Sequence, residues 1–414
     1  MNIEENNNKY TILFLTLLDF NSLEDRNIYT DLMSEFVDHG HQVFIISPIE
    51  KKNWKTRSTK VSHEYTIVKP RIGNMQKTNI LEKGISTIIL ESQFLKVIKK
   101  DFTEIKFDLI IYSTPPVTFS NCVKYVKKRD GAISYLLLKD IFPQNTIDLG
   151  ILKKTGLKGL IYKFFKNKET KLYRNSDYIG CMSEANKNYI IHNNKFINHE
   201  SIEVNPNSER EYKNEVQTID RESILDIYNI PVEKKLLIYG GNLGKPQGID
   251  FIKKCIINNE RNDDVFILII GSGTEYQRIE NCIVDFNIKN TKLLPKMSKN
   301  EFEQLVSCSD IGLVFLDSRF TIPNFPSRIL TYMKQKKPIL VASDEATDVG
   351  IIAKENEFGD YCISIDPEDF GHLVNKFVDD YDLVTMGKNA YDYYYKNYRS
   401  INSYEIIMNR MKEI

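Results

Sequence analysis

A chain of 414 residues, 42% hydrophobic and 27% charged, is long enough for two separately cored domains and too long for one. Its 56 basic residues balance 56 acidic ones, so no global field directs it to nucleic acid, and attraction to an anion must come from a local cluster. Six scattered cysteines (122, 181, 255, 282, 308 and 362) form no Cys-x-x-Cys pair and have no histidine at ligand spacing, as expected of small buried thiols in a cytosolic protein.

The polar, acidic start MNIEENNNKY lacks the basic-then-apolar order of a secretion signal, and no window approaches a membrane span. Thr11 to Leu18 reads as a parallel strand covered on both faces, Ile28 to His39 as a helix stopped by Gly40, and Gln42 to Ser47 as the next strand. This βαβ crossover lacks Gly-x-Gly-x-x-Gly, which disfavours a nicotinamide or flavin dinucleotide. The alternation continues through a strand at Tyr65 to Lys69, a helix from Ile80 to Lys100, a strand at Phe107 to Tyr112, a helix from Phe119 to Lys128 and a strand at Ala132 to Leu138. Such a rhythm predicts an open doubly wound sheet, whose ligands sit beyond the carboxyl ends of strands; the loop Lys139 to Asn145 stands at one such end.

From Leu149 to Arg174 eight cations stand against Glu169 as the only acid, with Leu157, Leu160, Ile161, Phe164 and Phe165 at helical spacing. Two readings stay open there: a cationic amphipathic helix lying on anionic lipid through residues 151–174, and a solvated helix whose apolar stripe packs on its own domain. Strands follow at Asp177 to Met182 and Ile202 to Val204, and the polar run from Glu209 reads as a linker. A second alternating series opens at Leu236 and runs to Ile365. Its first turn, LLIYGGNLGKPQG from Leu236 to Gly248, has the form of a phosphate seat, in which uncovered glycines let an anion reach backbone N–H groups at a helix start; an ordinary βα turn is the alternative.

The order of these motifs resembles a GT-B glycosyltransferase of the large retaining family numbered four. The resemblance spans nearly the whole chain and rests on IYTDLMSEFVDHGHQVFIISP, SDYIGCMSEANKNYI, VNPNS, YGGNLGKPQGID, IIGSGTEYQRI, LLPKMSKNEFEQLVSCSDIGLVFL and NFPSRILTYMKQKKPILVAS. It implies two doubly wound Rossmann-like domains facing across a cleft: 1–208 for the acceptor, a linker at 209–230, 231–385 for the nucleotide sugar, and a C-terminal helix at 386–414 crossing back to the first domain. Within the family, GNLGKPQG and LKDIFPQNTIDLG resemble transferases of N-acetylated amino sugars, N-acetylfucosamine among them, in capsule and O-antigen assembly.

The implied substrates are a UDP-sugar and a polyprenyl-diphosphate-linked saccharide, handled on the inner face of the cell membrane without nucleic acid, cofactor or metal. Donor contacts fall on Gly240, Gly241, Asn242, Gln247, Gly271, Gly273, Pro295, Lys296, Met297, Ser327 and Thr331. Lys245 and Arg328 are the cations for the departing diphosphate, because fixed charge there favours the transition state. Asp140 is the acidic group for the acceptor hydroxyl, with Asp19, Gln144, Asn145 and Ser183 along the acceptor. No Asp-x-Asp follows a strand, and the six histidines do not group, so donor charge is expected to be met by the protein. Two departures stand out. Pro323 and Thr331 occupy the places of the family's paired glutamates, and Lys139 stands about where its catalytic-loop histidine would be. The rival readings are a UDP-sugar 2-epimerase of GT-B-like fold and a non-catalytic sugar-nucleotide-binding subunit.

Overall fold

The structure, a computed structural model, describes residues 9–53, 59–74, 80–212 and 220–413, with backbone alone for 80–85. The expected linker therefore lies partly outside the described residues. The chain divides into two compact units, one of residues 1–210 with 400–414 and one of Glu211–Arg399.

The first unit holds strands β1 (Thr11–Leu15), β2 (Gln42–Ile46), β3 (Ile49–Glu50), β4 (Thr59–Val61), β5 (Tyr65–Val68), β6 (Arg71–Ile72), β7 (Leu109–Ser113), β8 (Ile133–Leu138), β9 (Tyr178–Cys181) and β10 (Ile202–Val204). Eight of them form one sheet in the order β10-β9-β8-β7-β1-β2-β5-β4, parallel except for the β4–β5 pair, while β3 and β6 pair separately. Ile12 to Leu15 are fully buried, as a parallel strand covered on both faces requires. The helix Ile28–Asp38 starts where Asn27 accepts the N–H groups of Tyr29 and Thr30 in a capping box with Thr30, and the chain leaves it through Gly40 at φ +82°.

The second unit holds β11 (Lys235–Asn242), β12 (Val265–Ser272), β13 (Thr291–Pro295), β14 (Ile311–Phe315), β15 (Ile339–Ser343) and β16 (Gly359–Ile363), all parallel, in the order β13-β12-β11-β14-β15-β16. The order reverses between β11 and β14, and in the first unit between β1 and β7. Ligands of doubly wound sheets bind at such switch points. One face of the second sheet is closed by a core of Leu237, Tyr239, Ile267, Ile269, Leu313 and Phe315 with Phe251, Phe370 and Phe377 from its helices. Each side chain of this kind contributes about 1.5–3 kcal/mol when fully buried.

The boundaries differ from the expected ones at the C-terminus. The tyrosine-rich helix Leu383–Asn397 belongs to the second unit, where Tyr394 is buried and Tyr398 lies against Phe325, ring centroids 5.7 Å apart. Only the helix Ser400–Lys412 returns to the first unit. Ser400 Oγ donates to Glu35 at 2.5 Å, Ser403 Oγ donates to Asn205 at 2.6 Å, and Tyr404 stacks on His39 at 4.2 Å. These contacts fix the crossing at residue 400 instead of 386. Residues 221–227, expected as linker, form a helix capped by Asp220.

Candidate active site

In the second unit the glycine turn has a different occupant from the one the sequence predicts. A Cβ on Gly240 would stand 2.1 Å from the ring of Phe302, and one on Gly241, at φ +140°, 2.9 Å from the guanidinium of Arg328. The uncovered backbone is thus filled by two protein side chains. The backbone donors are also committed. Gly240 N–H donates to Tyr332 Oη at 3.0 Å, Leu243 N–H to the Ser272 carbonyl at 3.0 Å, and Gly244 N–H to Gln247 Oε1 at 3.1 Å. The expected seat of free N–H groups at Gly240 is corrected accordingly, because these N–H groups already have protein partners.

What the turn offers instead is cationic. Arg328, first residue of the helix Arg328–Lys334, lays its guanidinium 4.4 Å from the ring centroid of Tyr239, and its Nη1 is buried without a hydrogen-bond partner. A buried guanidinium nitrogen left unpaired costs about 1–3 kcal/mol, which an anion accepting from it would recover. Gly312 leaves room for Tyr332, whose ring a Cβ there would meet at 2.4 Å. Tyr239 Oη donates to the Asn242 carbonyl at 2.8 Å. Lys245 opens the short 3-10 turn Lys245–Gln247, its carbonyl accepting from Gly248 N–H at 3.1 Å, and its exposed side chain makes no ion pair or hydrogen bond among the described residues. Asn242 Nδ2 and Gln247 Oε1 bond each other at 3.1 Å, so Gln247 shapes the turn from its interior.

Other expected donor positions have structural work of their own. A Cβ on Gly271 would stand 2.0 Å from the Gly241 carbonyl oxygen, and one on Gly273 2.1 Å from that of Leu243. These two glycines bring β12 against β11; their close approach is to protein backbone. Pro295 and Lys296 are exposed and Met297 half-buried at the end of the edge strand β13. Ser327 is exposed beside Arg328, and Thr331 follows one turn along the same helix.

In the first unit Asp140 follows β8. Thr114, buried in the loop after β7, ties that corner together: its Oγ1 accepts from the N–H groups of Lys139 at 3.0 Å and Asp140 at 3.4 Å. Asp140 keeps a solvent-exposed edge, yet desolvation by the chain around it raises its carboxyl to about 6. Burial likewise lowers the Lys139 ammonium to about 7, and its Nζ reaches the Asn205 carbonyl at 3.4 Å. Tyr29, at the start of the helix after the β1 loop, is pushed up to about 12 by burial, opposed by a hydrogen bond with Ser113 and assisted by the charge of Asp140. The switch point thus brings together Tyr29 from the helix after β1, Ser113 at the end of β7, and Thr114 and Asp140 from the loops after β7 and β8.

Asp19 sits on the β1 loop held by Lys69, a buried cation whose Nζ also donates to the Phe20 carbonyl at 3.0 Å and to Asn21 at 2.6 Å. Gln144 Nε2 donates to Asp148 at 2.7 Å, while Asn145 Oδ1 is buried with no hydrogen-bond partner. Ser183 is a buried helix N-cap, its Oγ accepting from Asn186 N–H and bonded to Asn186 Oδ1 at 2.9 Å, so the expected acceptor contact is corrected to a cap. Sequence reasoning missed Tyr239, Tyr332, Phe302, Tyr29, Thr114 and Lys69. Lys69 alone carried a signal, a cation closing an apolar strand before Pro70. Among the described residues no three His, Cys, Asp or Glu side chains group as metal ligands, and no helix is long and apolar enough to cross a membrane.

Comparison with known proteins gives this arrangement a context. Residues 220–393 match the family described as "Glycosyl transferases group 1". The chain is 23% identical to the probable glycosyltransferase WbjE of Pseudomonas aeruginosa over 80% of both chains. It is 22% identical to the putative colanic acid biosynthesis glycosyl transferase WcaI of Escherichia coli over 65% of each. Among solved structures, sucrose-phosphate synthase from Thermosynechococcus elongatus superposes with a TM-score of 0.74 at 12% identity, covering 98% of this chain and 99% of that one. Anabaena HepE in complex with UDP and glucose superposes at 0.69 with 13% identity, covering 98% and 100%. The chain is a glycosyltransferase of GT-B fold, with the group 1 match lying in its second unit.

Proposed function

We propose that the chain transfers a sugar, of the N-acetylated amino class, from a UDP-sugar to a polyprenyl-diphosphate-linked saccharide during assembly of capsule or another surface polysaccharide. The observation that carries this reading is the unpaired Nη1 of Arg328 at the carboxyl end of β11. As the glycosidic bond breaks, the nucleoside diphosphate gains negative charge, and a cation already desolvated and aimed there stabilises that charge more than it stabilises the ground state. Lys245 supplies a second, exposed charge, so the two cations and not a metal balance the diphosphate. HepE, described in complex with UDP-glucose, supports a UDP donor, and WcaI's description supports a polysaccharide pathway.

The acceptor binds at the loops after β1, β7 and β8. Retention of configuration follows if the leaving phosphate itself takes the acceptor proton on the same sugar face. Asp140 then orients the acceptor hydroxyl, and Asn145 Oδ1 accepts from a second one. With Pro323 and Thr331 in place of the family's glutamates, Ser327 and Arg328 hold the donor in their stead.

A lipid-linked acceptor is supported by the helix Gly156–Asn175. Leu157, Leu160, Ile161 and Phe164 stand 82%, 64%, 46% and 38% exposed among exposed lysines, an apolar stripe without protein cover. Phe165 of this helix packs on Phe142 of the acceptor loop at 5.1 Å, which sets the stripe beside that loop. The helix lies on the anionic inner leaflet of the cell membrane, making the enzyme cytoplasmic and peripheral.

Incubation with UDP-sugars, with and without a polyprenyl-diphosphate saccharide, tests the reaction. Acceptor-dependent UDP release is expected; acceptor-free isomerisation would establish the epimerase, and binding without turnover the non-catalytic subunit. For the membrane, replacing Lys153, Lys154, Lys158 and Lys163 by Gln is expected to weaken sedimentation with anionic vesicles by about two to three orders of magnitude. Unchanged sedimentation sinks the anchor.

A further inference from the structure

A second feature of the first unit lies away from the acceptor loops. Between β6 and the helix Ile80–Asp101 is a cavity of about 530 Å³, with Pro70 and Val97 contributing apolar wall. This is the size of a small-ligand site. Three cations line it, Arg71, Lys96 and Lys100, against the one carboxylate of Asp101. Lys96 and Lys100 are exposed and make no ion pair among the described residues.

The lining also holds a misfit. Gln93 Nε2 donates to the Arg71 carbonyl at 3.1 Å, which fixes the orientation of the amide, and the other end, Oε1, is buried with no partner. The unpaired acceptor of a lining residue suits a ligand that brings a hydroxyl donor, and the lining cations suit one that brings negative charge.

The helix itself indicates where such a ligand comes from. Ile89, Gln93, Lys96 and Lys100 follow one another at helical spacing and share one face. Ile88 and Ile89, at the other end of the described side chains, are 58% and 42% exposed. An apolar end beside a cationic, hydroxyl-seeking cavity matches an anionic phospholipid, acyl chains against the isoleucines and headgroup in the cavity. The same helix is tied to the stripe-bearing helix by the ion pair of Glu91 with Lys168 at 2.9 Å.

We propose that this cavity, lined by Arg71, Gln93, Lys96 and Lys100, binds the headgroup of a phosphoglycerol-type anionic lipid, the phosphate on the three cations and a headgroup hydroxyl donating to Gln93 Oε1. It rests on the membrane reading above for the lipid source. It differs from that reading in being selective for headgroup chemistry, which surface charge alone does not provide.

The test compares vesicles of equal surface charge containing phosphatidylglycerol or phosphatidylmethanol, which lacks the hydroxyl. The full chain is expected to prefer phosphatidylglycerol by about five- to tenfold, the effect of one hydrogen bond to a buried acceptor. Gln93→Leu, which changes no charge, is expected to abolish the preference, and Lys96→Gln with Lys100→Gln to weaken binding to both vesicles by about 25-fold. Equal binding of both vesicles by the unaltered chain, or an intact preference in Gln93→Leu, overturns the proposal even where the four-lysine variant shows that the anchor is real. If Gln93→Leu does not fold, calorimetry of water-soluble short-chain phosphatidylglycerol on the Lys96→Gln, Lys100→Gln chain decides instead. Loss of that binding supports the cavity and retention overturns it. Short-chain lipid that binds to a chain with no affinity for vesicles leaves the cavity standing and removes the anchor. Glycerol phosphate binding as tightly as the short-chain lipid overturns the lipid assignment.

Discussion

Arg328→Leu separates a binding role for the arginine from a structural one. Its guanidinium lies 4.4 Å from the centroid of Tyr239 and Nη1 is buried unpaired. The cation–π contact is worth about 0.5–2 kcal/mol, and the unsatisfied donor costs about 1–3 kcal/mol. The two nearly offset, so removal of the arginine is expected to change folding stability by less than about 1 kcal/mol, or about 2–4 °C in Tm for a unit of this size. Turnover behaves differently. Charge-assisted hydrogen bonds to a diphosphate are worth about 1.5–3 kcal/mol, so kcat/KM is expected to fall by about 10- to 150-fold. Arg328→Lys keeps the charge without the planar fork and should fall between the two. Steady-state release of UDP alongside a thermal melt reads both quantities. Normal turnover, or a melt lowered by more than about 8 °C, refutes the reasoning, the first because the cation is not used and the second because it is structural.

The other predictions concern different parts of the molecule. Gly240→Ala places a methyl 2.1 Å from the Phe302 ring and is expected to destabilise the second unit by about 1–3 kcal/mol in urea titration, since an aromatic ring packed there must move. Asp140, raised to about 6, is ionised only above that pH, so kcat/KM is expected to decline as pH falls through 6 and Asp140→Asn to lack that limb; an identical profile in the variant removes Asp140 from the reaction. His41 is buried, accepts the Tyr10 N–H at Nδ1 and meets Tyr404 Oη at Nε2, 3.0 Å each, and burial lowers its pKa from 6.5 to about 4. The unfolded chain then takes up this proton first, so the stability is present above pH 6.5 and falls by about 3 kcal/mol as pH drops to 4; His41→Gln should flatten that slope in urea melts. Lys69→Met frees the loop of Asp19 to Asn21 and should raise KM for the acceptor with little effect on the donor; equal effects on both would contradict the placement of that loop.

The βα alternation, the parallel sheets and nearly every strand were legible in the sequence, because a strand buried on both faces must be an unbroken apolar run, as Ile12 to Leu15 and Leu236 to Tyr239 are. Arg328 was legible too, as a cation beside a turn. The role of the glycines was not. Gly240 and Gly241 read as openings for an anion, and Phe302 and Arg328, from more than sixty residues further along the chain, fill them. Ser183 shows the same limit on a small scale, since a hydroxyl before a helix serves equally as cap or ligand until its partner is seen.

The sequence by itself determined that this chain makes two doubly wound units and that a lone basic stretch breaks an otherwise even charge, since hydrophobic period and local composition are properties of neighbours along the chain. Only the tertiary structure decided that the apolar stripe from Leu157 to Phe164 stays uncovered, that the tyrosine-rich helix belongs to the second unit, and which polar atoms remain without partners. Burial and hydrogen-bond satisfaction are set by side chains brought together from distant positions, and the glycine turn shows why that matters: its chemistry lies in an arginine it makes room for.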